Sequence, residues 1–206
     1  MQLKNIVMKN LKIVMLLAFP ILTFAQNPVI DLKNYYGDDI VGAYFKDIDN
    51  SLNVFEGTYV YTNGNEIFKI VMIKKNMQFN TVCYEDLIIG EYQHIKNGVE
   101  TINTLSEINT VYINQRKHNI NGNALINNDN RQWRCPQCNP DEKRFRGVIF
   151  DELNHRTAKI FMRRTQENGH EVMKVKVNVT GKTYIATEGP PPEFSLPTGE
   201  FTMIKQ

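Results

Sequence analysis

The chain contains few of the residue patterns on which enzymatic catalysis usually depends. Its three serines are Ser51, Ser106 and Ser195, and none lies in a Gly-x-Ser-x-Gly turn. It also has no phosphate-binding glycine loop and no pair of histidines at the spacing of a metal site. We therefore expect a protein that is not an enzyme and that carries no cofactor.

The chain also lacks an excess of charge of one sign. Its 24 basic and 22 acidic residues give a net charge of +2. Without Lys4, Lys9 and Lys12, which lie in an N-terminal segment described next, 21 basic and 22 acidic residues remain. A nearly neutral protein has no general attraction for nucleic acid or for an anionic membrane. We expect no nucleic-acid partner.

The hydrophobic run at the N-terminus is too short to span a membrane. It extends over Ile13–Phe24 and is interrupted by Pro20, whereas a membrane helix needs about 18 or more apolar residues. Lysines precede the run, and Thr23 and Ala25 supply the small residues that a signal peptidase requires. We predict a signal peptide over 1–25, with cleavage near Ala25, no transmembrane anchor, and export to the periplasm or the cell exterior.

Residues 26–206 are predicted to form a single exported domain of β-strands. Asn-Gly suits the type I′ turn of a β-hairpin because both central residues need a positive φ, and this pair occurs at 63–64, 97–98, 121–122 and 168–169. From Met173 to Val179 apolar and polar residues alternate, as in a strand with one buried face. We predict an all-β fold, an antiparallel meander of about ten strands that closes into a calycin-like barrel or packs as a sandwich. No long helix is expected apart from the signal peptide.

The turns define the individual strands. We predict strands at 57–62, 66–73, 84–95, 99–105, 111–114, 118–120, 158–164, 171–179 and 201–205, a short helical turn at 50–57, and an extended connector at 189–192.

Two resemblances support this fold. Phe24-Ala25-Gln26, "FEGTYVYTNGNE" (55–66), "YEDLIIGEY" (84–92) and "LPTGEFTMIKQ" (196–206) together resemble an uncharacterised family of small exported proteins from Bacteroidota. This resemblance implies export and a β fold, and it implies no particular chemistry.

The second resemblance is to the lipocalins. A short helical turn runs into Gly57-Thr58-Tyr59, which is similar to the lipocalin opening, where Gly-x-Trp closes the floor of the barrel; Tyr59 stands in place of the tryptophan. The likeness implies an alternative function, in which a barrel binds a small apolar ligand among Phe68, Ile70 and Met72.

Cys135 and Cys138 are predicted to form a disulfide. Export places them in an oxidising compartment, where a close pair tends to be bridged. Four alternatives remain open: a bridge from Cys83 to either of them, a redox-active Cys-x-x-Cys, a zinc site completed by Cys83 and a histidine, and free thiols. The histidines available are His94, His118, His155 and His170; His118 and His170 lie beside predicted turns and are expected to be exposed.

The segment around these cysteines is also the candidate binding site. Residues 131–146 hold five basic and two acidic residues and the only tryptophan of the chain. Arginines beside an aromatic ring can bind an anionic or sugar-like partner through forked hydrogen bonds and stacking. We therefore predict a non-enzymatic binding or interaction module of the cell envelope. Its partner would be an anionic or glycan-like envelope component, bound by Arg131, Trp133, Arg134 and Arg144.

Overall fold

The computed structural model describes residues 27–35, 37, 39–179 and 192–206. The predicted signal peptide and most of the predicted connector at 189–192 lie outside the described residues. The strands are β1 (Val29–Asp31), β2 (Tyr44–Lys46), β3 (Gly57–Asn63), β4 (Glu66–Phe79), β5 (Tyr84–Lys96), β6 (Val99–Asn103), β7 (Ile120–Ile126), β8 (Arg144–Asp151), β9 (Arg156–Glu167), β10 (His170–Val179) and β11 (Gly199–Lys205). The helices of this described part are short 3₁₀ turns at Leu32–Asn34, Asn53–Phe55, Leu105–Asn109 and Gln115–Lys117.

Eight of the strands form a closed antiparallel barrel. β3, β4 and β5 pair in sequence order, as do β7 to β11. Pairing of β5 with β7 joins these two groups, and pairing of β3 with β11 closes the wall. The predicted all-β meander is therefore confirmed, and it closes into a barrel. The predicted turn at 50–57 is a single 3₁₀ turn at Asn53–Phe55 that leads into β3.

Three further strands lie at the edges of this barrel. β6 pairs antiparallel with the C-terminal end of β5, from Gln93 to Lys96. β2 pairs with the N-terminal end of β5, at Tyr84 and Glu85, and β1 pairs with β2. Both of these pairings are parallel. These two short parallel strands were not among the predicted ones. Each of these two strands is three residues long, so neither shows an alternation from which its partner could be inferred.

Two of the Asn-Gly pairs form the predicted hairpin turns. Asn97-Gly98 has φ values of 54° and 76°, and Asn168-Gly169 has 51° and 77°. Both residues of each pair lie in the left-handed region, as a type I′ turn requires. At Asn63-Gly64 the turn is displaced by one residue towards the C-terminus, because Asn63 still pairs with Glu66 across the hairpin.

The third pair does not form a turn. Asn121-Gly122 lies inside β7, and the glycine serves a close approach between β7 and β8. A Cβ atom on Gly122 would lie 2.7 Å from the Cα atom of Gly147, and one on Gly147 would lie 2.6 Å from the carbonyl oxygen of Asn121. The register shifts here, between Asn121 and Ala124. Asn-Gly at this position therefore allows two strands to approach closely, whereas the same dipeptide at the hairpins forms a turn.

The segment before β7 also differs from the prediction. No strand forms at 111–114, which precedes the 3₁₀ turn Gln115–Lys117, and 118–120 contributes only Ile120 to β7. β8 was not predicted. Its residues alternate between the core and the outer wall, with Phe145, Gly147 and Ile149 buried, but basic residues at its start conceal the pattern.

Apolar side chains fill the interior of the barrel. Tyr59, Phe68, Ile70 and Met72 are at most 1% exposed and belong to one packed cluster. The hydroxyl of Tyr59 donates to the carbonyl oxygen of Glu56 at 2.9 Å, and that of Tyr92 donates to Phe150 at 2.9 Å. The residues that the lipocalin resemblance assigns to a ligand cavity are therefore packed against one another.

Candidate functional site

The loop 127–143, which joins β7 to β8, crosses the outer wall of the barrel. It contacts outward-facing side chains on three strands, namely Arg144 on β8, Arg163 on β9 and Glu200 on β11. We call it the bridged loop, because Cys135 and Cys138 form a disulfide within it. This disulfide confirms the predicted pairing, and Cys83 is a free buried thiol.

Asn128 organises the bridged loop from its first turn. Its side-chain oxygen accepts from the backbone N–H of Cys135 at 2.8 Å. Its amide nitrogen donates to the carbonyl oxygens of Cys135 at 2.7 Å and Cys138 at 3.2 Å. Because Asn128 is buried, these bonds are shielded from water. The disulfide segment is therefore held by a side chain as well as by its covalent bridge.

Arg144 fixes the other end of the loop. Its side chain is fully buried, and it donates to the carbonyl oxygen of Trp133 and to the side-chain oxygen of Asn128. Burial lowers the pKa of Arg144; the nearby Glu142 carboxylate, 3.7 Å away, opposes this shift. A buried cation with forked donors suits a position that gathers several carbonyl oxygens. The guanidinium also lies 5.2 Å from the centroid of the Trp133 ring.

Trp133 lies beside Glu200 at the barrel wall. The indole is only 8% exposed. Burial alone would raise the pKa of Glu200, but hydrogen bonds from Lys176 and Trp133 outweigh it and lower that pKa below its usual range. The Lys176 ammonium lies 3.1 Å from the same carboxylate. The ring is thus a fixed part of the wall.

A surface cleft of about 350 Å³ lies between the bridged loop and the barrel wall. We call it the loop cleft. Residues 133–137 form one side, and Arg163, Lys174 and Thr202 lie among the residues of the other. Arg163 is the cross-strand neighbour of Lys174, and Lys174 that of Thr202. The cleft therefore carries cations on both sides.

Of the loop-cleft cations, Arg134 has no carboxylate partner among the described residues. Its guanidinium donates to the carbonyl oxygens of Asn130 and Asp129, each at 3.1 Å. Arg163 lies 3.5 Å from Glu142, and Lys174 lies 2.6 Å from Glu167. The charge of Arg134 is therefore available to an anionic ligand.

The structure brings together part of the predicted site. Trp133 and Arg134 line the loop cleft, and Arg131 is an exposed residue of the same loop. Arg144 is placed differently, because its guanidinium is enclosed by the loop and does not reach the surface. It can position the binding residues, and it cannot itself contact a partner in this arrangement.

Two other clefts lie on the described surface. One, of about 850 Å³, is lined by β7, β8 and the N-terminal segment, and it was missed by the sequence analysis. Another, of about 470 Å³, lies among Ser51, Val54, Lys143 and 164–166. Phe68, Ile70 and Met72 line none of these three clefts.

Buried ionisable pairs lie on the outer face of β5. His118 is buried, which makes the expectation of exposure wrong, and its Nδ1 lies 2.7 Å from Glu91. Glu85 accepts from Arg116 at 2.6 Å and from Asn123 at 2.6 Å. These pairs attach the segment before β7 to the barrel. In the part of the chain that the structure describes, no three histidine, cysteine or acidic side chains are grouped as metal ligands.

Comparison with known proteins identifies a family. A family of unknown function, DUF6705, matches residues 8–206. The chain belongs to this family. No curated protein matches the chain, and no solved structure matches it either. Among the described residues, no helix has the length and apolar character needed to cross a membrane.

Proposed function

We propose that this DUF6705 member is an exported, non-enzymatic binding module of the cell envelope. It binds an anionic, glycan-like envelope component at the loop cleft. The N-terminal sequence supports export, because Lys4, Lys9 and Lys12 precede a short apolar run and a small-residue cleavage motif. The barrel supports a binding role, since it presents surface loops on a rigid scaffold.

One observation carries the choice of site. Arg134 has a charge without a carboxylate partner among the described residues, and it stands on a loop fixed by a disulfide, Asn128 and Arg144. A fixed loop loses little conformational entropy when a ligand binds, so a single charged contact contributes more fully to affinity. Arg131 is exposed on the same loop, three residues before Arg134.

The test compares acidic with neutral oligosaccharides of equal length, by calorimetric titration of the mature protein. We expect digalacturonate to bind and a neutral disaccharide not to bind. Arg134→Ala should weaken digalacturonate binding about tenfold or more, because a charge-assisted hydrogen bond is lost. Lys96→Ala is the matched control, since Lys96 is exposed on β5 and lines none of the three clefts.

The outcomes separate the parts of the proposal. Equal binding of acidic and neutral sugars, or unchanged binding by Arg134→Ala, would contradict the assignment of the site. Export is tested by the intact mass of the protein recovered from the producing cell's envelope fraction. A mass that begins at Gln26 supports cleavage after Ala25, and an uncleaved chain in the cytoplasm contradicts export.

A further inference from the structure

The cleft of about 850 Å³, which we call the β7 cleft, lies on the same outer wall as the loop cleft. Its lining includes 121–126 of β7, 146–148 of β8 and Lys159 of β9. The two strands approach closely at Gly122 and Gly147, where an added side chain would point inward against Phe145. Backbone atoms of these two glycines line the cleft, together with polar side chains such as those of Asn121, Asn123 and Arg146.

The β7 cleft also carries cations without carboxylate partners. Four cationic residues and one acidic residue, Asp39, line it. Two of the cations are already paired, Arg116 with Glu85 and Lys33 with Asp49. The other two, Arg146 and Lys159, form no ion pair with any described residue. Two positive charges on this cleft therefore remain for a ligand.

Cationic side chains connect the two clefts across the wall. Cross-strand neighbours of an antiparallel sheet point to the same face, so the register defines three parallel rows on the outside of the barrel. The rows are Val148, Lys159 and Asn178; Arg146, Phe161, Lys176 and Glu200; and Arg163, Lys174 and Thr202. In the second row Lys176 is paired with Glu200, which leaves Arg146 as its unpaired cation. The first row borders the β7 cleft and the third borders the loop cleft, and each row contains a cation.

The separation of the clefts follows from the strand geometry. Lys159 and Arg163 both lie on β9 and point outward, four residues apart. At about 3.3 Å per residue they are about 13 Å apart along the strand. A single small anion cannot reach both, whereas an extended chain with repeated negative charges can.

We propose that the protein binds one acidic polysaccharide chain across both clefts. This inference rests on the proposed function, because the loop cleft supplies one of the two contact points. In the β7 cleft, Asn121 and Asn123 use their side-chain nitrogens in hydrogen bonds within the protein, which leaves their side-chain oxygens to accept from sugar hydroxyl groups.

The inference predicts a strong dependence of affinity on chain length. Digalacturonate, which is shorter than the separation of the clefts, should bind the two clefts independently. Long-chain polygalacturonate should bind about 100-fold or more tightly per chain, because the second contact becomes intramolecular. The double variant Arg146→Ala/Lys159→Ala should remove this gain and one of the two digalacturonate binding events. Arg134→Ala should remove the gain and weaken the other event about tenfold or more.

The variants distinguish the inference from the proposed function. If the double variant binds polygalacturonate like the unmodified protein, and Arg134→Ala still weakens digalacturonate, the second contact is refuted and the loop cleft stands. If Arg134→Ala has no effect on either sugar, the proposed site is refuted as well. Tighter binding of single-stranded DNA of matched charge would refute the polysaccharide class. Lys159→Gln, at an exposed position, provides a milder change should the double variant fold poorly.

Discussion

The guanidinium of Arg144 lies 5.2 Å from the centroid of the Trp133 ring and donates to the carbonyl oxygen of the same residue. One buried cation thus fixes both the backbone and the ring of the tryptophan. The binding surface of the loop consequently depends on a side chain that no ligand touches.

Arg144→Met should destabilise the protein by about 2–4 kcal/mol. The change removes the charged donor of the carbonyl oxygen of Trp133 and of the side-chain oxygen of Asn128. These acceptors keep only the bonds from Asn130 and Cys135, and the loss of two charge-assisted hydrogen bonds in a buried site is costly. Urea unfolding measures the change. Arg146→Met, two residues along the same outer face, should change stability by less than about 0.5 kcal/mol. Equal effects of the two substitutions would contradict the positioning role of Arg144.

Trp133 fluorescence should report the protonation of Glu200. Hydrogen bonds from Lys176 and the indole hold the pKa of Glu200 below its usual value. The contact is therefore complete above the pKa of an ordinary glutamate, about 4.3, and is lost as the pH falls through the lower folded value. We expect a fluorescence transition with its midpoint below that value. The transition should be missing from Glu200→Gln, and its persistence in that variant would show that another group controls the ring.

The three cysteines should differ in their reaction with iodoacetamide. The native protein should take up no label, because Cys83 is buried, its thiol pKa is raised by burial, and Cys135 and Cys138 are bridged. Denaturation without reduction should expose one thiol, and denaturation with reduction should expose three. Intact mass counts the labels. Two or three labels in the unreduced denatured chain would exclude the bridge.

Gly147→Ala should destabilise the barrel by about 1–3 kcal/mol, because overpacking forces the backbone to shift. The new Cβ atom would lie 2.6 Å from the carbonyl oxygen of Asn121, which belongs to the backbone of β7 and cannot rotate away. Thermal unfolding measures the loss. Val148→Ala, at the next position on the exposed side of β8, serves as the control and should have little effect.

Short-range patterns in the sequence predict most of the fold. Asn97-Gly98 and Asn168-Gly169 form the expected turns because a type I′ hairpin depends only on the conformation of two adjacent residues. The disulfide between Cys135 and Cys138 was likewise predictable, because the two residues are only three positions apart in the chain. Asn121-Gly122 has the same local sequence, and its different role depends on Gly147, a residue that only the barrel brings beside it.

The candidate site could be predicted only in part, because several of its contacts join residues that are far apart in the sequence. The basic residues and Trp133 mark the bridged loop, but the burial of Arg144 follows from the loop folding back over β8. His118 is buried because its ring is hydrogen-bonded to the carboxylate of Glu91 on β5, a residue far away in the sequence. The β7 cleft combines residues from β7, β8, β9 and the N-terminal segment, and no stretch of sequence contains them together.

Closure of the barrel depends on a narrow seam. β3 and β11 are joined by two cross-strand pairs, Val60 with Ile204 and Tyr59 with Lys205, whereas β4 and β5 form twelve. The partners at this seam are also far apart in the chain, so their pairing carries a large loop-closure cost and should form late in folding. Until then the molecule has two unprotected sheet edges. Such edges can pair with those of another copy, which makes the interval before closure the period of greatest risk of self-association.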